Sequence, residues 1–524
     1  IPNPPAIRGR EAADRLWTVT GPEERSWKED HIRCRKIASY GITKVMQHSH
    51  EFTWRDEGES FTLRLKASPQ KGGDNMLKWY VKAQQSLGWL QGMYTNYTDY
   101  APVNANFTEA GINRLPSGEW RRAWRRCYAM KPSYGVEMDE KFAKRIQKKF
   151  SSNFAYTDVM TAVSPWGRCD YDSRVPGAGT LAATFYAHGQ ILLNDQIVYG
   201  PTCSEGTYQW LYAGLATGNY GWAYTNLNLL EEPLNVAFDL LKIHPLEIDY
   251  GMGSPEYYLQ QLDTRFSEWD HLNPRWIGKR EELDWYIDRF LATTIAYGHG
   301  GWLIAWLERP DIMARSYYML QQLQKRYAMI PVRKIEYSNL IGEMMSISQA
   351  LATGVILESR LHVIYENGLE VFVNGNGSSK ASNKVWSFIS PNGDKVELPP
   401  AGWYAYDPST NFEEFSALIS GRRIDYVISP EYEYLDGRGQ FIEIGSLAAS
   451  GAVVKIQQKR GISEIINIYG NDKIRFKNSA KNGNIVAYDW EGNILSEVPT
   501  KKINSEWYEF CTLPQGRRYI FTPI

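Results

Sequence analysis

The chain has 524 residues and a formal net charge of -1, so it is too long for one core and lacks the Lys and Arg excess of a phosphate-backbone binder. No run of 18 apolar residues occurs, so the sequence offers no helical membrane span. Five cysteines (Cys34, Cys127, Cys169, Cys203, Cys511) are odd in number and lack CxxC spacing, and so outline neither a disulfide framework nor a metal knuckle.

Up to about residue 355, short apolar strands alternate with amphipathic helical stretches, the pattern of repeated β/α units. Strands are expected at Leu16–Thr20, Ile42–Gln47, Trp89–Thr95, Phe154–Asp158 and Ile197–Cys203. Helices are expected from about Pro22 to Tyr40, Asn75 to Leu87, Asp139 to Lys149, Gly179 to Leu193 and Thr207 to Ala216. Further strands fall near Val236–Ile248, Ala292–His299 and Ile335–Tyr337. Seven or eight such units predict an α/β fold, a (β/α)8 TIM-like barrel over residues 1–355. Beyond it, turn signals such as Asn374-Gly375-Asn376-Gly377 and Asp436-Gly437 punctuate short alternating segments. They predict a C-terminal antiparallel β-sandwich over residues 356–524.

A barrel of this kind builds its active site at the C-terminal ends of its strands. The fourth strand ends in Tyr156-Thr157-Asp158-Val159, and the fifth in Ser204-Glu205-Gly206. Taken singly, Asp158 reads equally as a loop or capping carboxylate, and Glu205 as an acid at a helix start. Taken together, they stand at the ends of neighbouring strands about 4.8 Å apart. That spacing allows the ~5–5.5 Å carboxyl separation of a retaining glycosidase. The aromatic content of 14%, with 19 Trp and 34 Tyr, suits a sugar substrate, because these rings pair an apolar face with a polar edge.

Together with the later Gly218-Asn219-Tyr220-Gly221, these motifs resemble the retaining α-glycosidases of glycoside hydrolase families 101 and 129, the endo-α-N-acetylgalactosaminidases and their exo-acting relatives. The segment Leu398-Pro399-Pro400-Ala401-Gly402-Trp403 is similar to the β-domain that follows such barrels. The resemblance spans roughly residues 15–410. It implies Asp158 as nucleophile, Glu205 as acid/base and an α-linked galacto-configured sugar, either N-acetylgalactosamine or anhydrogalactose, as substrate. The large N-terminal β-sandwich expected ahead of the family's barrel is not among these 524 residues, which leaves the sugar open.

Other strand ends supply candidate substrate contacts. His48 and His50 close the second strand, with sugar-binding, structural and metal-binding roles all open. Tyr94, Asn96 and Asp99 follow the third strand, and Asp170 and Asp172 lie in the loop after Asp158, where local pairing with Arg168 and Arg174 is the competing role. Asp249 is a candidate third acid, and His299 sits in a glycine-rich, sugar-facing loop. Trp166 and Trp210 are candidate stacking platforms. The cluster Arg121, Arg122, Arg125 and Arg126 is expected as a solvated or salt-bridged loop.

The expected partner is an oligosaccharide or glycoconjugate, with no nucleic acid, no cofactor and no catalytic metal. The start at Ile1 rather than Met leads to the expectation of a processed or trimmed N-terminus with sequence missing upstream. An extracellular or periplasmic location is a separate expectation. A metal-dependent hydrolase and a non-catalytic carbohydrate-binding protein are the alternatives the residues leave open.

Overall fold

The computed structural model describes residues 3–20, 26–49, 65–220, 233–251, 280–375 and 385–524. The chain divides into two compact units. The first comprises Ile1–Cys34, Thr43–Thr225 and Lys242–Ser254, and the second Arg35–Ile42, Asn226–Leu241 and Pro255–Ile524.

The first unit is built on seven parallel strands: β1 (Leu16–Thr20), β2 (Val45–Ser49), β3 (Leu90–Asn96), β4 (Phe154–Asp158), β5 (Thr202–Glu205), β6 (Gly218–Tyr220) and β7 (Ile248–Asp249). They lie side by side in chain order, each parallel to the next. Strands of a parallel sheet need a crossover between them, and helices supply it. Helix Pro132–Phe150 separates β3 from β4 and buries Met138, Phe142, Ile146 and Phe150, a stripe at helical spacing. Helix Leu181–Val198 separates β4 from β5 and meets the previous helix through Asn194 Nδ2 to Asp139 Oδ2 at 2.6 Å.

The sheet is strongly curved. The Trp17 ring on β1 lies 5.3 Å from Tyr220 on β6 and 5.4 Å from Tyr250, just past β7. Strands at opposite ends of a flat sheet could not bring rings so close. The inner face is therefore a packed core rather than a pore, as barrel interiors are. Gly218 makes room within it, since a Cβ there would fall 2.0 Å from the Ile248 carbonyl oxygen.

The second unit is antiparallel. A 13-stranded sheet begins with Val332–Ser338, which pairs with Arg360–Tyr365, and a five-stranded sheet accompanies it. Ile424, Leu435, Val453 and Ile465 from the larger sheet share one core with Leu447, Phe476 and Phe510 from the smaller, giving a sandwich. The fold is a TIM-like α/β barrel followed by an antiparallel β-sandwich.

Several sequence expectations are corrected, among them the strand near Val236–Ile248, where Asp239–Ile243 is helical and only Ile248 enters β7. Ala292–His299 is not a strand, because helix Arg280–Ala296 runs through most of it. The helix is buried on nearly every side from Tyr286 onward, so no polar stripe marks its period. Thr293 and Thr294 fit by donating their hydroxyls to the carbonyls of Arg289 and Phe290. Ile335–Tyr337 is a strand, but of the antiparallel sheet. The fifth barrel strand begins at Thr202, because the preceding helix keeps Ile197 and Val198; apolar runs of this length do not distinguish helix end from strand start.

Candidate active site

Side chains alternate across a strand, so register sorts the strand ends by face. Tyr94 pairs with Tyr156, Asn96 with Asp158, Tyr156 with Cys203, and Glu205 with Tyr220. All of these belong to the inner face. Asp158 and Glu205 stand one residue beyond the Thr157–Ser204 pair, so two half-buried carboxylates end adjacent strands at the same level.

Asp158 is held by donors on both oxygens. Tyr94 donates to Oδ2 at 2.5 Å and Asn96 Nδ2 reaches the same oxygen at 3.3 Å, while Tyr156 donates to Oδ1 at 2.7 Å. The Tyr156 hydroxyl lies 2.9 Å from that of Tyr220. With the Tyr156 proton directed at Asp158, the Tyr220 proton serves the Tyr156 oxygen, making a relay of hydroxyls that ends on the carboxylate.

Burial pushes the Asp158 carboxyl up to about 6, against the lowering effect of the hydrogen bonds from Tyr94 and Tyr156. It is therefore ionised near neutral pH but only just. Burial, with the charges of Asp158 and Glu205 and the neighbouring Tyr220 adding to it, holds the Tyr156 hydroxyl well above its ordinary value. Tyr156 thus stays a donor.

Backbone strain marks the same place. Val159, directly after Asp158, has a φ of 68°, and its N–H hydrogen-bonds the Asp158 carboxylate. A β-branched residue in the left-handed region costs about 1–3 kcal/mol, which persists only where the surroundings enforce it. After Glu205 the chain runs close to β6 at Gly206. A Cβ there would lie 2.6 Å from the Tyr220 carbonyl oxygen, so the glycine permits close approach to β6.

His48 is buried on the inner face, accepts a hydrogen bond from Trp17 Nε1 at Nδ1 (2.9 Å), and stacks on Tyr156 with centroids 4.2 Å apart. It supports the tyrosine that supports Asp158. His50 lies outside the described residues. Asn96 is buried and spends its carbonyl on Thr98 and the Asp99 N–H, while its amide also meets Asp99 Oδ2 at 3.1 Å. Trp166, in the loop after β4, and Trp210, in the short helix after β5, are 50% and 45% exposed, which leaves their rings accessible to a ligand.

Three candidates stand apart from this group. Asp249 pairs in register with Asn219 and hydrogen-bonds Glu247, both on the outer face of the sheet. Asp172 is bound by Lys131 at 2.7 Å and by Arg174, and these cations hold its carboxyl below the usual range. His299 belongs to the second unit, where its Nε2 lies 3.4 Å from Asp239. Sequence reasoning passed over Tyr156, Tyr220 and Trp17 as site residues. The i, i+2 spacing of Tyr156 and Asp158 on a strand was the available signal for the first. Among the described residues, no group of three or more His, Cys, Asp or Glu is arranged to hold a metal ion, and no helix is long and apolar enough to cross a membrane.

The chain matches no protein-family model, and no curated protein matches it. Solved structures do match. The ligand-free α-N-acetylgalactosaminidase NagBb from Bifidobacterium bifidum is similar with a TM-score of 0.51 and 15% identity, over 70% of this chain and 57% of that one. The same enzyme with GalNAc bound gives a TM-score of 0.48 at 15% identity and the same coverage. The α-amylase of Geobacillus thermoleovorans gives 0.45 at 10% identity, over 75% of this chain and 98% of that one. The chain thus spans 57% of the length of the NagBb structures. The likeness is one of fold.

Proposed function

We propose that this protein is a retaining glycoside hydrolase acting on an α-linked galacto-configured sugar, with Asp158 as nucleophile and Glu205 as acid/base. One observation carries the reading: two carboxylates end adjacent strands at one level, and one of them is gripped by Tyr94, Tyr156 and Asn96. The grip serves a nucleophile, because it fixes the attacking oxygens and keeps the group ionised against burial.

In the first step an Asp158 oxygen bonds to the anomeric carbon while the glycosidic bond breaks, and Glu205 gives its proton to the departing oxygen. In the second, Glu205 takes a proton from water, whose oxygen displaces Asp158 and restores the starting configuration. Exposed Trp166 and Trp210 offer ring faces to the sugar or to what it is attached to. The resemblance of the strand-end motifs, and the name of the structural neighbour NagBb, make N-acetylgalactosaminides the first substrates to try.

The test is incubation with aryl α-N-acetylgalactosaminides, mucin-type glycopeptides and algal galactan oligosaccharides, with the product anomer followed by NMR. Release of the α-anomer first is the expected result. First release of the β-anomer would overturn the retaining mechanism, and no turnover of any glycoside would overturn the activity.

A further inference from the structure

Arg114, Arg121, Arg122, Arg125 and Arg126 lie in the hairpin-like segment between β3 and helix Pro132–Phe150, where bridges join Arg114 to Trp120 and Arg122 to Tyr128. This segment is stapled to the loop that follows Asp158. Asn113 Nδ2 donates to the Arg168 carbonyl at 2.7 Å, Arg121 to the Cys169 carbonyl at 3.2 Å, and the Arg114 N–H to Asp170 at 2.8 Å. It is also tied to the candidate site. The Trp124 N–H donates to Asp99 at 3.4 Å, Asp99 accepts from Asn96, and Asn96 reaches Asp158.

The carboxylates of the loop after β4 are already committed. Lys131 and Arg174 neutralise Asp172, and Lys131 lies 3.8 Å from Asp170. Among the described residues no carboxylate pairs with Arg122 or Arg125, and both are exposed. Their guanidinium groups rest on rings instead, Arg122 at 4.4 Å from the Tyr128 centroid and Arg125 at 5.4 Å from that of Trp124. Trp124 is itself 59% exposed. A merely solvated charge run has no need of a rigid mount or an exposed indole. Stacked guanidinium groups are pre-oriented, with donor edges left for an oxyanion.

We infer that this rim is a subsite for an anionic sugar: Trp124 takes a ring face, and Arg122 and Arg125 take a sulfate ester or carboxylate on the residue next to the one released. Loops after barrel strands are where substrate is held, and arginine forks suit both oxyanions. The subsite's place in a substrate rests on the glycosidase reading; its binding does not.

The two are tested separately. Asp158→Asn protein is titrated calorimetrically with a sulfated galacto-oligosaccharide, a uronate-containing one, their neutral counterpart and inorganic sulfate. At least one anionic oligosaccharide should bind about tenfold more tightly than the neutral chain, the effect of one charge-assisted hydrogen bond. The gap should narrow as salt rises and vanish in Arg122→Gln/Arg125→Gln, while Trp124→Ala weakens the oligosaccharides by a larger factor than inorganic sulfate, which loses only the ring under Arg125. Which anionic chain binds separates sulfate ester from carboxylate. Equal affinity for charged and neutral chains, or a gap that survives in the double variant with its fold verified by circular dichroism, overturns the inference. Charge-selective binding without turnover by the wild-type protein would remove the glycosidase and leave the subsite. Turnover without charge selectivity would do the reverse.

Discussion

The two faces of the seven-stranded sheet both carry acids with raised pKa values, and they hold them differently. On the inner face, Asp158 is pushed to about 6 by burial, is half-buried, and receives donors from Tyr94, Tyr156 and Asn96 at a strand end. On the outer face, burial pushes Asp195 and Glu247 each to about 7. There Asp195 accepts from Thr157, the residue between Tyr156 and Asp158, and Glu247 accepts from Asn219 at 2.7 Å and from the Gly214 N–H at 2.9 Å. Those acids are fully buried behind the strands. A perturbed carboxylate alone therefore does not mark a reactive site. Reach to a ligand, together with donors that hold the charged form, separates the two faces.

The largest effect expected is from Asp158→Asn, which should lower kcat/KM by about a thousandfold or more while leaving the melting temperature near that of the parent. Steady-state kinetics with a calorimetric melt would check both, and retained activity would erase the distinction between the faces. Tyr94→Phe removes one donor from Asp158 and should cost about tenfold. Because that donor favours the ionised form, its loss should raise the acid limb of the pH–rate profile from about 6; an unmoved limb would detach Tyr94 from Asp158.

Asp195→Asn should act on stability instead. A carboxyl raised from 3.8 to about 7 in the fold contributes stability that is full below its unfolded pKa and lost as pH rises through the folded one. The parent's melting temperature should fall between pH 4 and pH 7 in part through this group, and the variant should show a shallower fall. The smallest effect is expected from Asp249→Asn, whose carboxyl sits beside Glu247 on the outer face. Its kcat/KM should stay within about threefold of the parent, against a loss of tenfold or more if Asp249 acts as a third active-site acid.

Much of the barrel was legible in the sequence. Leu16–Thr20 and Phe154–Asp158 form as read, and the third strand is displaced by one residue, because these apolar runs are short and bounded by polar turns. Helix Arg280–Ala296 was not legible, since burial on nearly every side leaves no stripe to read. Of the candidate site, the sequence carried the two strand-end carboxylates but not the hydroxyls and amide around Asp158. Tyr94 and Asp158 are 64 residues apart, and only register along β3 and β4 brings the hydroxyl to the carboxylate.

Local chemistry by itself determined where strands end to within one or two residues, and that Asp158 and Glu205 follow apolar runs, because hydrophobic period and turn residues act over a few positions. Only the tertiary structure decided which face each side chain takes. A step of one residue moves Asp249 to the far side of the sheet from Tyr250, whose ring packs against Trp17. Strand pairing sets that choice across tens to hundreds of residues, and no short window of sequence contains it.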